Sequence, residues 1–219
     1  MKAVIFDLDG TIVDSIDIYY EMVRLTFEKG GFDAPDGSII LKLMSEGKSF
    51  FDVVLPVKIE DRDKIISELR KIGKEIWEEI SDVDIKLLPG VSKTIKNLKG
   101  KGYKIGIVTS GGGEGIKALR ENGLKDCIDV VITRNDVQRL KPAPDSILDC
   151  IKMLELLPED CIYVGDSVVD IIAGKSAGTK TVGVLTGVSN YESLKRENPD
   201  IIIRDINELM EYISQDQIA

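Results

Sequence analysis

The feature that most constrains the fold is a short apolar run that ends in two aspartates. Residues Ala3 to Phe6 are all apolar, and Asp7 and Asp9 follow them, one residue apart, before Gly10. An unbroken apolar run that stops at a turn signal is typical of a strand buried on both faces, as in a parallel sheet. Such sheets bind ligands beyond the carboxyl ends of their strands. The run therefore predicts a parallel sheet with two carboxylates at the mouth of a site.

Two carboxylates held this close need a cation. At about 4 Å and an effective dielectric constant of about 20, they repel each other by about 4 kcal/mol. The sequence contains no histidine, so a metal would have to be bound through oxygen. Oxygen ligands favour a hard cation, and Mg²⁺ is therefore the predicted cofactor.

Helical and strand patterns alternate along most of the chain. Beyond Pro89 and Gly90, strands are predicted between helices at Tyr103–Val108, Asp129–Thr133, Cys161–Val164, Lys180–Val184 and Pro199–Ile203. This alternation indicates βαβ units and a parallel sheet covered on both faces. The stretch from Gly31 to Leu88 shows only helical periods. We predict an α/β fold with a Rossmann-like parallel core (1–14 and 88–219) and an inserted α-helical subdomain (15–87).

Composition limits the expected partners and compartment. The chain has 29 basic and 38 acidic residues, a net charge of −9, which argues against nucleic acid and anionic membranes as partners. It has no signal peptide and no apolar span of about 18 residues, so a cytoplasmic protein without a membrane partner is expected. Cys127, Cys150 and Cys161 lack C-x-x-C spacing and predict neither a disulfide framework nor a zinc site. A monomer or homodimer is expected.

Further polar segments follow the later strands. The second ends in Thr109, K-P-A-P-D occupies 141–145, and G-D-S-V-V-D occupies 165–170. Together with D-L-D-G-T at 7–11, they resemble, in the same order, the four motifs of the haloacid dehalogenase superfamily of phosphohydrolases. The helical insert resembles the α-helical cap of the phosphoglycolate phosphatase-like branch, and the resemblance extends over about residues 2–213. It implies a small phosphorylated substrate.

The two aspartates of the first motif have chemically distinct predicted roles. Asp7 could attack phosphorus and form an aspartyl-phosphate. Asp9 could protonate the leaving oxygen and then activate water. The alternatives are a solvated turn and an EF-hand loop, and Thr11 and Ile12 at EF-hand positions 5 and 6 exclude the latter.

Asp166 is expected to bind Mg²⁺ together with Asp7, and the resemblance adds the main-chain carbonyl of Asp9. Asp170 lies one helical turn after Asp166, so it is expected to hold a metal-bound water or Lys141. An Asp-Ser pair before a helix also suits an N-cap. That role is compatible with metal binding.

Thr109, Ser110 and Gly111 are expected to bind a phosphate oxygen through the hydroxyl and through amides at the start of the next helix, placed at Glu114. An ordinary strand-to-helix cap is the alternative. Lys141 would balance the charge of the nucleophile and the transferred phosphoryl group, and a solvated surface lysine is its alternative.

Substrate selection is expected in the cap, because a cap that closes over the site contacts the leaving group. Lys48, in the loop after the second predicted helix, is the main candidate for a substrate anion. Tyr19, Tyr20 and Arg24 are further candidates. The alternatives are that the charged side chains are solvated and that the tyrosines belong to the apolar core.

The predicted function is a Mg²⁺-dependent phosphomonoester hydrolase that acts on a small phosphorylated metabolite through an aspartyl-phosphate. A sugar-phosphate mutase of the β-phosphoglucomutase type is one alternative, because it too resembles this chain in both aspartates and a helical cap. Gly165 stands where such mutases carry an acidic residue, which favours hydrolysis. A non-catalytic phosphate-binding regulatory module is the other alternative, and the presence of every motif residue argues against it.

Overall fold

The structure is a computed structural model that describes residues 1–55, 60–80 and 85–216. Residues 56–59 and 81–84 of the predicted insert, and residues 217–219 of the predicted core, lie outside the described residues.

The described chain alternates strands and helices, as its sequence pattern predicts. The strands in chain order are β1 (Ala3–Phe6), β2 (Val13–Asp14), β3 (Lys86–Leu87), β4 (Lys104–Val108), β5 (Val130–Ile132), β6 (Cys161–Gly165), β7 (Lys180–Val184) and β8 (Ile201–Ile203). The α-helices in chain order are α1 (Ile16–Lys29), α2 (Gly37–Ser45), α3 (Phe50–Val54), α4 (Arg62–Ile80), α5 (Val91–Gly100), α6 (Ile116–Glu121), α7 (Asp145–Met153), α8 (Val168–Ala177), α9 (Tyr191–Arg196) and α10 (Leu209–Asp216). Short 3-10 turns lie at Lys125–Cys127, Pro158–Asp160 and Ile206–Glu208.

Six strands form a parallel sheet in the order β5-β4-β1-β6-β7-β8. The central strand is β1, where Ala3 pairs with Lys104 of β4 on one side and with Cys161 of β6 on the other. The chain moves outward from β1 through β4 to β5, then crosses to β6 and continues to β8. Because the strand order reverses at β1, the crevice beyond the carboxyl ends of β1, β4 and β6 is where this architecture binds ligands. The predicted Rossmann-like sheet is confirmed.

Both faces of the sheet are covered, which explains the unbroken apolar run of β1. Successive side chains of a strand point to opposite faces. Val4 and Phe6 pack in one core cluster with apolar residues of α5, α6 and α10, whereas Ala3 and Ile5 pack in a second cluster with α7 and α8. All four side chains are fully buried.

The inserted cap has an apolar core of its own. This core is formed by residues of α1, α2 and α4 and by the residue that follows α3. They are Val23, Phe27, Ile40, Leu55, Ile66 and Leu69, and all are fully or nearly fully buried. Helices α1 and α4 pack so closely that a Cβ at Gly30 would overlap the side chain of Leu69. The predicted helical cap is therefore confirmed. Within the described ranges, no helix has the length and apolar character needed to cross a membrane.

The short strands β2 and β3 and helix α9 differ from the sequence prediction. The prediction of no strand between Gly31 and Leu88 is wrong, because β3 pairs antiparallel with β2 where the chain leaves and re-enters the core. A two-residue strand is too short to produce a periodic pattern. Helix α9 was also not predicted; it has only six residues, and its N-cap is Asn190, whose side chain accepts a hydrogen bond from the Ser193 amide.

Candidate active site

The carboxyl ends of the central strands bring four of the predicted site residues together. Asp7 follows β1, Thr109 follows β4, and Asp166 follows β6, while Lys141 comes from the loop after β5. All four side chains are buried and line one cavity of about 420 Å³. The cavity lies between the sheet edge and the cap, since α1 and the loop after α2 also line it.

Lys141 is the centre of a buried charge cluster. Its ammonium lies 2.5 Å from Asp7 Oδ1, 2.6 Å from Asp170 Oδ1 and 3.0 Å from the hydroxyl oxygen of Tyr163. The Tyr163 hydroxyl also donates to Asp170 Oδ1 at 3.0 Å. Burial by itself lowers the pKa of Lys141, but the carboxylates of Asp170 and Asp7 outweigh it and raise the pKa well above its ordinary value. The lysine therefore stays charged and is not a solvated surface residue.

The start of α8 fixes Asp170 in this cluster. Ser167 is the N-cap and forms a capping box with Asp170, whose Oδ2 accepts hydrogen bonds from the Ser167 amide at 3.0 Å and from its hydroxyl. Oδ1 of Asp170 is left to accept the hydrogen bonds from Lys141 and Tyr163. A Cβ at Gly165 would overlap the Asp170 side chain, so glycine is required at the end of β6. Asp170 thus completes the N-terminal capping box of α8 and also holds Lys141. Holding Lys141 is one of the two roles predicted for it.

Asp9 is placed as a carboxyl group that can carry a proton. Its Oδ1 accepts a hydrogen bond from Ser15 at 2.8 Å, and its Oδ2 accepts one from Thr109 at 3.2 Å. Burial raises the pKa of Asp9 above its ordinary value, and the hydrogen bonds from Ser15 and Thr109 oppose this only in part. A raised carboxyl pKa is what a general acid near neutral pH requires.

The loop after β4 differs from its predicted conformation. Helix α6 begins at Ile116, not at Glu114, so Ser110 and Gly111 line the cavity from a loop and not from a helix start. Three consecutive glycines end at Gly113, which has a φ of +91° and therefore does not continue as helix. The Gly111 amide donates to the Thr109 hydroxyl at 2.9 Å.

Three buried carboxylates form a possible metal site. Asp7, Asp166 and Asp170 each offer an oxygen, and these atoms lie within 4.8 Å of one another. Asp7 Oδ1 accepts a hydrogen bond from Lys141, and among the described residues no hydrogen bond reaches its Oδ2. The donors are carboxylate oxygens without nitrogen or sulfur, a set that fits a hard divalent cation.

The Asp166 carboxylate is held in place by its surroundings. Its Oδ1 accepts a hydrogen bond from Thr11 at 3.1 Å, and its Oδ2 accepts one from the Val188 amide at 2.8 Å. A Cβ at Gly187 would overlap this carboxylate, and one at Gly10, which has a φ of +76°, would crowd it. The two backbones approach Asp166 closely only because both residues are glycine.

Comparison with known proteins agrees with this geometry. Residues 4–184 match the profile of the haloacid dehalogenase-like hydrolase family. The chain belongs to this family. Among curated proteins, pyrophosphatase PpaX of Bacillus mycoides (strain KBAB4) is 28% identical over 216 residues, which cover 98% of both chains. The sequence prediction of a phosphatase of this superfamily is confirmed.

Solved structures of the family superpose on nearly the whole chain. The structure of β-phosphoglucomutase from Clostridium difficile is 27% identical with a TM-score of 0.73, and the match covers 98% of this chain and 96% of that one. A structure described as a predicted phosphoglycolate phosphatase from Haemophilus somnus has a TM-score of 0.79 at 19% identity, covering 97% and 98% of the two chains. At that identity the second match shows the fold alone.

The cap candidates are placed differently from one another. Lys48 lines the cavity, but its ammonium is paired with Glu46 at 2.6 Å and its side chain is 58% exposed. Tyr19 also lines the cavity. Tyr20 packs on the apolar cluster of the cap, and Arg24 is paired with two glutamates of its own helix. Among the tyrosines and the arginine, only Tyr19 is thus brought to the site.

Sequence reasoning missed three residues of the site. Tyr163 sits within the apolar run of β6, so nothing in its neighbourhood marks it as polar-facing. The sequence marks Ser167 only as part of an N-cap, although its hydroxyl orients Asp170. Arg134 lines the cavity from the segment after β5, where no motif directs attention to it.

Mg²⁺ is expected to raise the melting temperature more at about pH 8 than at about pH 6. Burial, with the nearby Asp170 carboxylate second, raises the pKa of Asp166 to about 7. The folded protein therefore keeps a proton there that the unfolded chain has lost, so stability without metal falls as the pH rises from about 4 towards 7. A bound cation replaces this proton. Thermal melts at both pH values, with Mg²⁺ and with EDTA, measure the difference. An equal Mg²⁺ shift at the two pH values would contradict it.

Proposed function

We propose that the protein is a Mg²⁺-dependent phosphomonoester hydrolase that acts on a small phosphorylated metabolite through an aspartyl-phosphate on Asp7. The observation that carries this is the state of the Asp7 carboxylate. One oxygen is held by the buried Lys141, the other has no hydrogen bond from the described residues, and the carboxyl group of Asp9 lines the same cavity. A nucleophile, a cation and a proton donor are thereby within one cavity.

In the first step, Asp7 Oδ2 attacks phosphorus and the bond from phosphorus to the leaving oxygen breaks. Asp9 donates its proton to that oxygen, so the leaving group departs neutral at this atom. Lys141 keeps Asp7 Oδ1 fixed and adds positive charge beside the transferred phosphoryl group.

In the second step, water attacks the phosphorus of the aspartyl-phosphate. Asp9, now a carboxylate, takes the proton of this water, and the bond between phosphorus and Asp7 breaks to release inorganic phosphate. The Asp9 carboxyl regains its proton and the enzyme returns to its starting state. Thr109 and Ser15 keep Asp9 oriented through both steps.

Mg²⁺ bound by Asp7, Asp166 and the main-chain carbonyl of Asp9 would supply positive charge that polarises the phosphoryl oxygen. The carboxylate donor set supports this choice. Asp170, whose Oδ1 is bonded to Lys141, acts through that lysine.

The similar curated protein makes inorganic pyrophosphate the first substrate to test, and phosphoglycolate is the second because the helical insert resembles the cap of the phosphoglycolate phosphatase-like branch. We propose a cytoplasmic monomer or homodimer without nucleic acid or membrane partners. A mutase of the β-phosphoglucomutase type is the second candidate, because a protein of that name is 27% identical over nearly the whole chain.

We expect phosphate release from at least one of pyrophosphate, phosphoglycolate and hexose phosphates, and we expect EDTA to stop it and Mg²⁺ to restore it. A colorimetric phosphate assay over a panel of phosphomonoesters together with pyrophosphate measures this. Full activity in EDTA would exclude the metal.

The same screen separates the alternatives. Isomerisation of glucose 1-phosphate in the presence of a bisphosphate activator, without phosphate release, would replace the hydrolase with the mutase. Binding of phosphate compounds without any turnover would favour the regulatory module.

A further inference from the structure

Arg134 is a cation of the cavity wall that the mechanism does not use. It follows the loop residue Thr133 after β5, and its amide donates to the Gly111 carbonyl at 3.1 Å, which joins this segment to the loop after β4. Arg134 lines the cavity and is an exposed residue at its wall. In the described ranges, no ion pair or hydrogen bond of its guanidinium is found, which is also true of Arg120 of α6, but Arg134 differs in lining the cavity.

The other cations of the cavity are already engaged. Lys141 is held between Asp7 and Asp170, and Lys48 is paired with Glu46. In a protein with a net charge of −9, an arginine without a carboxylate partner at the site leaves its full set of donors for an anion from outside. A guanidinium presents these donors in a planar fork that matches a phosphate or carboxylate.

Tyr19 brings a second donor to the same part of the cavity. Its ring stacks on Trp77 of α4 with centroids 4.7 Å apart, and Trp77 in turn donates to Glu114 of the core at 3.3 Å. A Cβ placed on Gly111 would lie 3.3 Å from the Tyr19 hydroxyl and 3.4 Å from Asp9 Oδ2. The hydroxyl therefore lies on the side of the cavity where Asp9 would protonate the leaving group.

We propose that Arg134 and Tyr19 form a subsite for a negatively charged group on the leaving group, and that this subsite selects substrates with a second anion. The distal phosphate of pyrophosphate and the carboxylate of a phosphorylated hydroxy acid share this chemistry. The proposal rests on the proposed function, because it assumes that Asp9 marks the leaving-group side. Arg134 binds the anion directly, and Tyr19 donates a hydrogen bond to it.

The test compares substrates in Arg134→Gln. With pyrophosphate, kcat/KM is expected to fall by about 10- to 100-fold, the size of a lost charged hydrogen bond, mostly through KM. With glycerol 3-phosphate, whose leaving group is uncharged, it is expected to change by less than about 3-fold. Phosphoglycolate shows whether a carboxylate is accepted as well as a phosphate. Arg134→Lys should recover part of the pyrophosphate activity, and Tyr19→Phe should show a smaller loss with the same substrate dependence.

Arg120→Gln is the matched control, because Arg120 is an exposed arginine of α6 that lies outside the cavity lining and is not ion-paired in the described chain. An equal loss on charged and uncharged leaving groups, or no loss on pyrophosphate, would overturn the proposal.

A binding experiment distinguishes a failure of the subsite proposal from a failure of the proposed function. The affinity for pyrophosphate is measured by calorimetry in Asp7→Asn and in Asp7→Asn combined with Arg134→Gln. We expect a drop of about 10- to 100-fold in the double variant. An unchanged affinity overturns the subsite, whereas a wild-type protein that releases phosphate from no substrate overturns the hydrolase.

Discussion

Replacing Asp7 with asparagine is expected to lower kcat for phosphate release by at least about 10⁴-fold, the scale of losing a nucleophile. An amide oxygen is far less nucleophilic than a carboxylate and does not form the aspartyl-phosphate. The substitution keeps the shape of the side chain. A phosphate-release assay with the best substrate of the screen measures the loss, and intact-protein mass spectrometry of quenched wild-type turnover measures the phosphorylated intermediate.

The fold is expected to survive this change. Lys141 keeps its ion pair with Asp170 and its hydrogen bond with Tyr163. Burial, opposed by Lys141, raises the pKa of Asp7 well above its ordinary value, so the charged form of this carboxyl costs free energy in the folded state. Removing that charge at neutral pH should leave the melting temperature unchanged or higher.

Asp14→Asn is the matched control for Asp7→Asn. Asp14 belongs to the same segment, but it is exposed on β2 and does not line the cavity. It should keep wild-type activity. An Asp7→Asn variant with the wild-type rate would exclude Asp7 as the nucleophile. A variant that does not fold would contradict the inference that the buried charge of Asp7 costs free energy in the folded state.

The sheet and the site at its edge could be predicted because the signals are local. Four apolar residues before Asp7 specify a strand buried on both faces, and the carboxyl ends of parallel strands meet at one edge. This is enough to bring Asp7, Thr109 and Asp166 together, although each lies far from the others in the chain. No knowledge of side-chain packing is needed for that step.

The details that depend on packing could not be predicted. The capping box of Asp170 was hidden because its partner Ser167 is an ordinary helix cap in the sequence. Helix α6 starts two residues later than predicted, because glycines such as Gly113 allow a turn but do not specify one. Arg134 reaches the cavity only because β5 lies beside β4, a neighbour relation that one strand's sequence does not encode.

Replacing Lys141 with methionine is expected to lower the free energy of unfolding by about 3–5 kcal/mol at neutral pH, the usual result of removing one partner from a buried ion pair. Methionine fills a similar volume, but the buried carboxylates of Asp7 and Asp170 lose the cation between them. Denaturant unfolding measures the loss. Lys96→Met, at an exposed position of α5, is the control and should change the free energy of unfolding by less than about 0.5 kcal/mol.

The pH dependence of this loss separates charge from packing. Burial already raises the pKa of Asp7, and Lys141 is the main group that opposes it; without the lysine the pKa rises further. The folded variant then binds more protons than its unfolded chain, so its stability falls as the pH rises and recovers as the pH falls. We therefore expect the loss in Lys141→Met to shrink from about pH 8 to about pH 5. A loss of the same size at every pH would mean that the lysine stabilises the fold through packing of its aliphatic stem, and the role of its charge beside Asp7 would have to be abandoned.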